Sequence, residues 1–404
     1  MKMRSCWIGS GGDGCKTLCA QGKWLLVLLL FVFCVSVQAL NLSPYIYRDG
    51  DAYQSFRNIS FPLGANIVNT VYQDSLGMMW FGTQYGLFNY NGYDLHICTN
   101  GDYLYGNSIY AIIQQDENLL CIGTDNGLFW YDMRKERFED SFQGLTMRQA
   151  VRSLALFDGK LWIGTRDEGL YGYDFQSGEL SRKPLLRKRE TVIYALEVAA
   201  GRLFIGAYEH LSCYDPTSGE RHFIDLPDEQ SRMINSLLWD ETEDCVWVGA
   251  EGLLFRYDIR RGKLAEQSFL KGVSCKSLAL DGKGNLLVGT DNGLYLYNKE
   301  SAACRLIVHD SRNPHSLCNN IIWDLMCDGE NNIWLATDQG VSLAQASAEY
   351  HFIHLSELVS VGDGNSFTCL YMDSHNGFWL GGDNGLIHIV APVSYTHLTL
   401  PTIL

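Results

Sequence analysis

The hydrophobic and polar positions of this chain follow one repeating unit, in which two short apolar runs flank a glycine-rich turn. One copy reads Trp162-Ile-Gly-Thr-Arg-Asp-Glu-Gly-Leu-Tyr-Gly-Tyr-Asp174. A period of roughly 40–50 residues indicates a solenoid, a propeller or an array of repeats. The copies start 40 to 47 residues apart, at Trp80, Cys121, Trp162, Phe204, Trp247, Leu287, Trp334 and Trp379.

Each copy predicts two β-strands joined by a tight hairpin. Aromatic and β-branched residues favour strands, and the turn sequence Asp-Asn-Gly supplies the positive backbone dihedrals that a hairpin needs. An apolar run before each copy and a more polar run after it complete four strands per repeat. Four strands in each repeat of 40 to 47 residues predict an all-β fold, namely a β-propeller of four-stranded antiparallel blades. A helical repeat is disfavoured because glycine and asparagine interrupt the copies.

The strand that precedes each copy should be the innermost of its blade. Its fourth position is aliphatic throughout, as packing between blades requires, and its third position is mostly small, with Asp324 as the only acid. Its second position instead carries large polar or aromatic groups, which differ between repeats: Asn69, Tyr110, Arg152, Tyr194, Asn235, Lys276 and Trp323, then Thr368.

These second positions are the candidate ligand-binding residues. Equivalent positions of a propeller point to equivalent places, here near the mouth of the central channel, and a ring of unlike hydrogen-bonding and stacking groups is typical of a ligand site. The alternative is that they only fill or hydrate the channel entrance. No paired carboxylates share these columns, so we predict no catalytic residue, and we predict no metal or cofactor.

The number of blades follows from how the ring closes. Residues 53–60 resemble an outer strand without a blade of its own, and such a strand often completes the last blade. We therefore expect a seven-bladed propeller over residues 40–356, the first blade of a truncated second propeller over 357–391, and a non-repeat tail over 392–404. A ring of eight blades is the alternative.

Residues 1–39 predict a secretory signal peptide. Basic residues precede the apolar run 24–37, and Val37-Gln-Ala39 offers small residues for cleavage. The alternative is an uncleaved membrane anchor, for which this run is shorter than the roughly 20 residues that span a bilayer. We expect export to the periplasm.

The net charge limits the class of ligand that we expect, and the cysteine positions limit the expected disulfide bonds and zinc sites. The net charge of −15 argues against nucleic acid or anionic lipid and suits a neutral ligand, or merely solubility. Nine of the 13 cysteines follow the leader, and none forms a C-x-x-C pair. We expect them to pack as small apolar residues, because a disulfide framework or a zinc site would place them at repeating positions.

Residues 66–87 and 313–341 resemble the two-component regulator propeller repeat. In that family the repeats form the periplasmic sensor of hybrid two-component histidine kinases, where two seven-bladed propellers and an immunoglobulin-like domain precede a membrane helix. The resemblance implies an N-terminal fragment of such a receptor that senses oligosaccharides from polysaccharide breakdown. Kinase motifs are absent from this sequence, so we expect the fragment to recognise a ligand and to relay its binding. The expected partners are the remaining domains of the receptor, or a second copy of the fragment.

Two other functions remain open. An exported propeller enzyme, such as a polysaccharide lyase or glycosidase, would need a converging set of acid and base groups. A propeller used only for protein docking would expose aromatic patches at its outer rim.

Overall fold

The computed structural model describes residues 39–40, 53, 55–98, 107–139, 141, 143–184, 191–208, 210–216, 218–226, 233–346, 367–374, 378–382, 385–389 and 400–401. The predicted signal peptide lies outside these residues except for its last position. Within them, no helix combines the length and apolar character needed to cross a membrane. The chain divides into two compact units, Ala52–Ala348 and a unit that combines Met1–Asp51 with Glu349–Leu404.

The regular secondary structure of the described residues is β-strand, apart from short 3-10 turns at Pro62–Gly64 and Ser268–Leu270. In chain order the strands are β1 (Ala39–Leu40) and β2 (Arg57–Ile59); β3 (Val68–Gln73), β4 (Met79–Thr83), β5 (Gly86–Tyr90) and β6 (Leu95–Cys98); β7 (Ile109–Asp116), β8 (Leu119–Thr124), β9 (Gly127–Asp132) and β10 (Arg137–Glu139); β11 (Val151–Phe157), β12 (Lys160–Thr165), β13 (Leu170–Asp174) and β14 (Leu180–Arg182); β15 (Ile193–Ala199), β16 (Arg202–Ala207), β17 (Leu211–Asp215) and β18 (Glu220–Ile224); β19 (Ile234–Asp240), β20 (Cys245–Ala250), β21 (Leu253–Asp258) and β22 (Lys263–Glu266); β23 (Cys275–Leu280), β24 (Leu286–Thr290), β25 (Gly293–Tyr297) and β26 (Cys304–Ile307); β27 (Ile322–Cys327), β28 (Ile333–Thr337) and β29 (Gly340–Ala344); β30 (Phe367–Met372), β31 (Phe378–Gly382) and β32 (Gly385–Ile389); and β33 (Leu400–Pro401).

In the described part of the unit Ala52–Ala348, seven four-stranded antiparallel sheets follow one another, and we number them 1 to 7 in chain order. Sheets 1 to 6 each consist of consecutive strands. In sheet 7 the outer strand is β2, which pairs with β29 and sets Asn58 opposite Ser342. The inner strand β27 of sheet 7 lies beside the inner strand β3 of sheet 1. The predicted β-propeller of four-stranded antiparallel blades is confirmed.

The other unit contains β30, β31 and β32, which form a three-stranded antiparallel sheet. These strands carry the eighth copy of the repeat. In the same unit β1 pairs antiparallel with β33, which lies in the predicted non-repeat tail.

The hydrophobic core of the propeller consists of clusters between neighbouring sheets, and the repeated aromatic residues build them. Trp80 of sheet 1 meets Tyr131 of sheet 2 with ring centroids 5.5 Å apart. Trp334 of sheet 7 meets Tyr90 of sheet 1 in the same way, at 5.9 Å. The tryptophan and the tyrosine of the repeat therefore recur because each pairs across a sheet interface, where buried aromatic pairs add to the free energy of packing.

Glycine recurs in the hairpin for a steric reason. Gly127 has a φ of +123°, and a Cβ atom built on it would lie 2.1 Å from the carbonyl oxygen of Met147. Only glycine fits this close approach of the loop between β10 and β11. The described cysteines are all unpaired; five are buried, whereas Cys304 and Cys369 are exposed.

Candidate ligand site at the start of the inner strands

The inner strand of each of the seven sheets contains a β-bulge at its second residue. In β11 the register passes from Val151, opposite Thr165, to Ser153, opposite Gly164, so that the residue between them has no partner. A bulge turns the side chain of its extra residue away from the regular pleat. The unpartnered residues are the seven predicted site residues: Asn69, Tyr110, Arg152, Tyr194, Asn235, Lys276 and Trp323.

The two asparagines of this set join neighbouring sheets. The side-chain amide of Asn69 donates to the carbonyl oxygen of Ile109 at 3.0 Å, and that of Asn235 donates to the carbonyl oxygen of Cys275 at 2.9 Å. In both cases the acceptor is the first residue of the next inner strand. Their amide nitrogens therefore have a structural role, which leaves the amide oxygen for a ligand.

Tyr110, Arg152 and Tyr194 come together across sheets 2, 3 and 4. The Cζ atom of Arg152 lies 3.7 Å from the centroid of the Tyr110 ring, a cation–π contact. Burial raises the pKa of Tyr194, and the charge of Arg152 opposes that rise. The structure thus places one guanidinium on the ring of Tyr110 and within electrostatic range of the Tyr194 phenol.

Lys276 and Trp323 form a second pair, across sheets 6 and 7. The Lys276 ammonium lies 5.4 Å from the centroid of the Trp323 ring. The indole N–H of Trp323 donates to Oδ1 of Asp338 at 2.5 Å, and 38% of the Trp323 surface is exposed. This half-open indole face is able to stack on a ligand.

The hairpins that follow the second strands contribute residues that the sequence analysis missed. Asp338, which comes directly after Thr337, accepts the hydrogen bond from the Trp323 indole. Arg166, which comes directly after Thr165, acts electrostatically on Tyr194. The repeated threonine explains the turn itself, since the Thr337 hydroxyl donates to the carbonyl oxygen of Gly340 at 2.9 Å. The residue after this threonine differs between repeats. This difference is the feature of the sequence from which a second set of site residues could have been predicted.

Asp324, the only acid of the inner columns, has a structural environment. Its carboxylate accepts hydrogen bonds from side chains of Thr70 and Ser277, on the neighbouring inner strands. These partners occupy both carboxylate oxygens, which disfavours a role in proton transfer.

One group of metal-ligand types exists within the described residues. Asp240, Glu243 and Cys245 place one potential ligand atom each within 4.8 Å of one another. The Lys299 ammonium lies 2.6 Å from Oδ2 of the buried Asp240 and 3.8 Å from Glu243. The ammonium group of Lys299 balances negative charge of the Asp240 and Glu243 carboxylates. We therefore interpret the cluster as an ion-pair network.

The fold and these residues define a rigid propeller scaffold that displays unlike polar and aromatic side chains on its bulged inner strands. Two of its repeats, at residues 62–85 and 316–339, match the family model of the two-component regulator propeller.

Solved structures agree with this assignment. Two crystal structures of the extracellular domain of one B. thetaiotaomicron protein, described as a one-component and as a hybrid two-component system, are 38% and 39% identical to this chain. Each has a TM-score of 0.69; they cover 86% and 85% of this chain, which covers 47% and 46% of theirs. The chain thus spans about half the length of these structures.

A second extracellular domain, from another hybrid two-component system of B. thetaiotaomicron, is 18% identical with a TM-score of 0.62. It covers 84% of this chain, which covers 54% of it, and at this identity it supports the fold alone. No curated protein matches the chain.

Proposed function

We propose that this chain is the ligand-sensing propeller of a hybrid two-component sensor kinase, exported to the periplasm, and that it recognises oligosaccharides released from polysaccharides. The observation that carries the proposal is the set of seven unlike bulged residues, in a chain 39% identical to an extracellular domain of such a system. Binding would shift the population of receptor conformations, which the remaining domains of the receptor would read.

The side chains suit a sugar. Aromatic rings such as those of Tyr110 and Trp323 stack on the apolar faces of pyranose rings, and the exposed fraction of Trp323 leaves room for this contact. Arg152, Lys276 and the amide oxygens of Asn69 and Asn235 would bind hydroxyl groups. Rigid inner strands hold all of these groups in place before binding, which favours specificity.

Binding without catalysis is the better-supported function. A lyase or glycosidase requires a free acid or base, and the carboxylate of Asp324 is already engaged by Thr70 and Ser277. We therefore assign no catalytic residue.

A thermal-shift screen of the purified chain against plant, fungal and host oligosaccharides tests the proposal. A sugar at 100 times its Kd should add about 2.7 kcal/mol to the free energy of unfolding. Trp323→Ala should abolish the shift, whereas Tyr93→Ala, which removes an aromatic ring that is 89% exposed in the β5–β6 turn, should leave it unchanged. Folded protein that responds to no sugar would refute sugar sensing, and consumption of a sugar during the assay would point to an enzyme.

A further inference from the structure

The Arg152 guanidinium carries a charge that no carboxylate of the described residues balances. Its Nε atom is buried without a hydrogen-bond partner. Its Nη atoms form no hydrogen bond with any described residue either, and the residue as a whole is half-buried. Buried polar groups in native proteins are almost always satisfied, so an exception of this kind calls for a physical explanation.

Packing holds this guanidinium in place instead of an ion pair. The Tyr110 ring lies under it at 3.7 Å. Arginine held on an aromatic face keeps its hydrogen-bonding edge available and loses little freedom when a partner arrives. Tyr110 thus holds the Arg152 cation in a fixed position, and no carboxylate within the described ranges pairs with it.

A second guanidinium, that of Arg166, acts on the same tyrosine as Arg152, although the net charge of the chain is −15. Arg166, exposed on the hairpin between β12 and β13, acts on Tyr194 together with Arg152, and both oppose the rise in the pKa of Tyr194 that burial causes. Arg166 forms no ion pair with a described residue. One carboxylate, that of Glu251, acts on Tyr194 in the opposite sense. Two guanidinium groups and one carboxylate therefore act electrostatically on this phenol.

We propose that Tyr110, Arg152 and Tyr194 form a subsite for an anionic group of the ligand, either the carboxylate of a uronic acid or a sulfate ester. The inference rests on the proposed sugar-sensing function and specifies the class of sugar. A guanidinium binds two oxygens of such a group through parallel N–H donors, which gives both affinity and orientation. A neutral sugar would offer this cation hydroxyl acceptors only and would leave its charge without a counter-ion, which is less favourable. The net charge of the whole chain, −15, therefore does not predict the charge of the ligand at this site.

Calorimetric titration with matched sugars tests the subsite on the purified chain. The probes are trimers of galacturonate and galactose, of glucuronate and glucose, and of mannuronate and mannose, together with sulfated galactose trimers. We expect at least one anionic trimer to bind about 10- to 100-fold more tightly than its neutral counterpart, the range for a lost charged hydrogen bond. Comparison of the uronates with the sulfated sugar identifies the anionic group.

Variants locate the effect. Arg152→Gln should reduce the ratio of anionic to neutral affinity to near one, and Arg152→Lys should restore part of it because the charge remains while the fork is lost. Arg137→Gln removes one charge from the outer strand β10 and should leave the ratio unchanged. An unchanged melting temperature for Arg152→Gln in the absence of sugar checks that the variant is folded.

The failures are distinguishable. Equal affinity for anionic and neutral trimers, or an anionic preference that survives Arg152→Gln, would overturn the subsite while leaving sugar sensing intact. Absence of binding by every trimer, together with a negative thermal-shift screen, would overturn the proposed function and this inference with it.

Discussion

The carboxylate of Asp324 accepts a 2.9 Å hydrogen bond from the hydroxyl of Thr70, which lies 254 positions earlier in the chain. The same oxygen accepts from the backbone N–H of Val71 at 3.0 Å, and the other oxygen accepts from the hydroxyl of Ser277 at 2.9 Å. One side chain therefore ties together the inner strands of sheets 6, 7 and 1, where the ring of sheets closes.

Removal of this carboxylate should weaken the closure. We expect Asp324→Ala to lower the free energy of unfolding by about 2–4 kcal/mol, since several donors lose a charged acceptor. Ser236→Ala, at the same position of sheet 5, should change it by less than about 0.5 kcal/mol. Urea denaturation of both variants decides the matter, and equal effects would contradict a special role for Asp324.

Glu197 should make the stability of the propeller depend on pH. Burial raises the pKa of this carboxyl from 4.5 to about 7, and the backbone N–H of Trp239 opposes the rise by donating a 3.2 Å hydrogen bond to Oε1. Because the folded state holds the proton more tightly, this contribution to stability is complete below pH 4.5 and is lost as the pH rises through about 7.

The matching variant is Glu197→Gln, which removes the titration and keeps the shape. We expect the free energy of unfolding of the variant, minus that of the original chain, to be roughly 1–3 kcal/mol larger at pH 8 than at pH 5. Denaturant unfolding at the two pH values measures the difference. A difference that does not vary with pH would refute this assignment.

Trp334→Phe tests the hydrogen bond that accompanies the repeated tryptophan. The indole N–H donates to Oδ2 of the buried Asp328 at 2.7 Å. Phenylalanine retains a ring for the interface and leaves the carboxylate short of a donor, so we expect a loss of about 1–3 kcal/mol in the free energy of unfolding. Trp162→Phe is the control, because its N–H donates to a backbone carbonyl at 3.2 Å, and its loss should be smaller. The reverse order would count against the Asp328 bond.

Asn58→Ala tests the closure by β2. The Asn58 side chain accepts from the hydroxyl of Ser342 at 2.7 Å and donates to the carbonyl of Ser316 at 2.9 Å. Its removal should lower stability by about 1–3 kcal/mol and speed hydrogen exchange in β2 and β29. Asn89→Ala in β5 serves as the control. Unchanged exchange in β2 would show that backbone pairing alone holds the strand.

The sequence by itself determined the repeat, its four strands and the columns of the inner strands. These features depend on local chemistry: apolar alternation, strand-forming residues and glycine at the hairpin, where Gly127 meets the carbonyl of Met147. The same columns identified the seven second positions, although not that every one is a bulge.

The tertiary structure alone decided what those positions touch. Asn69 reaches Ile109, 40 positions away, and Asp324 reaches Thr70, 254 positions away. Such contacts depend on the register between sheets, which no local pattern encodes. That Arg152 rests on Tyr110, with no carboxylate partner in the described part of the chain, is likewise a property of packing between two sheets. A net charge sums over the whole chain, whereas the field at one site depends on the few groups that lie within a Debye length of it.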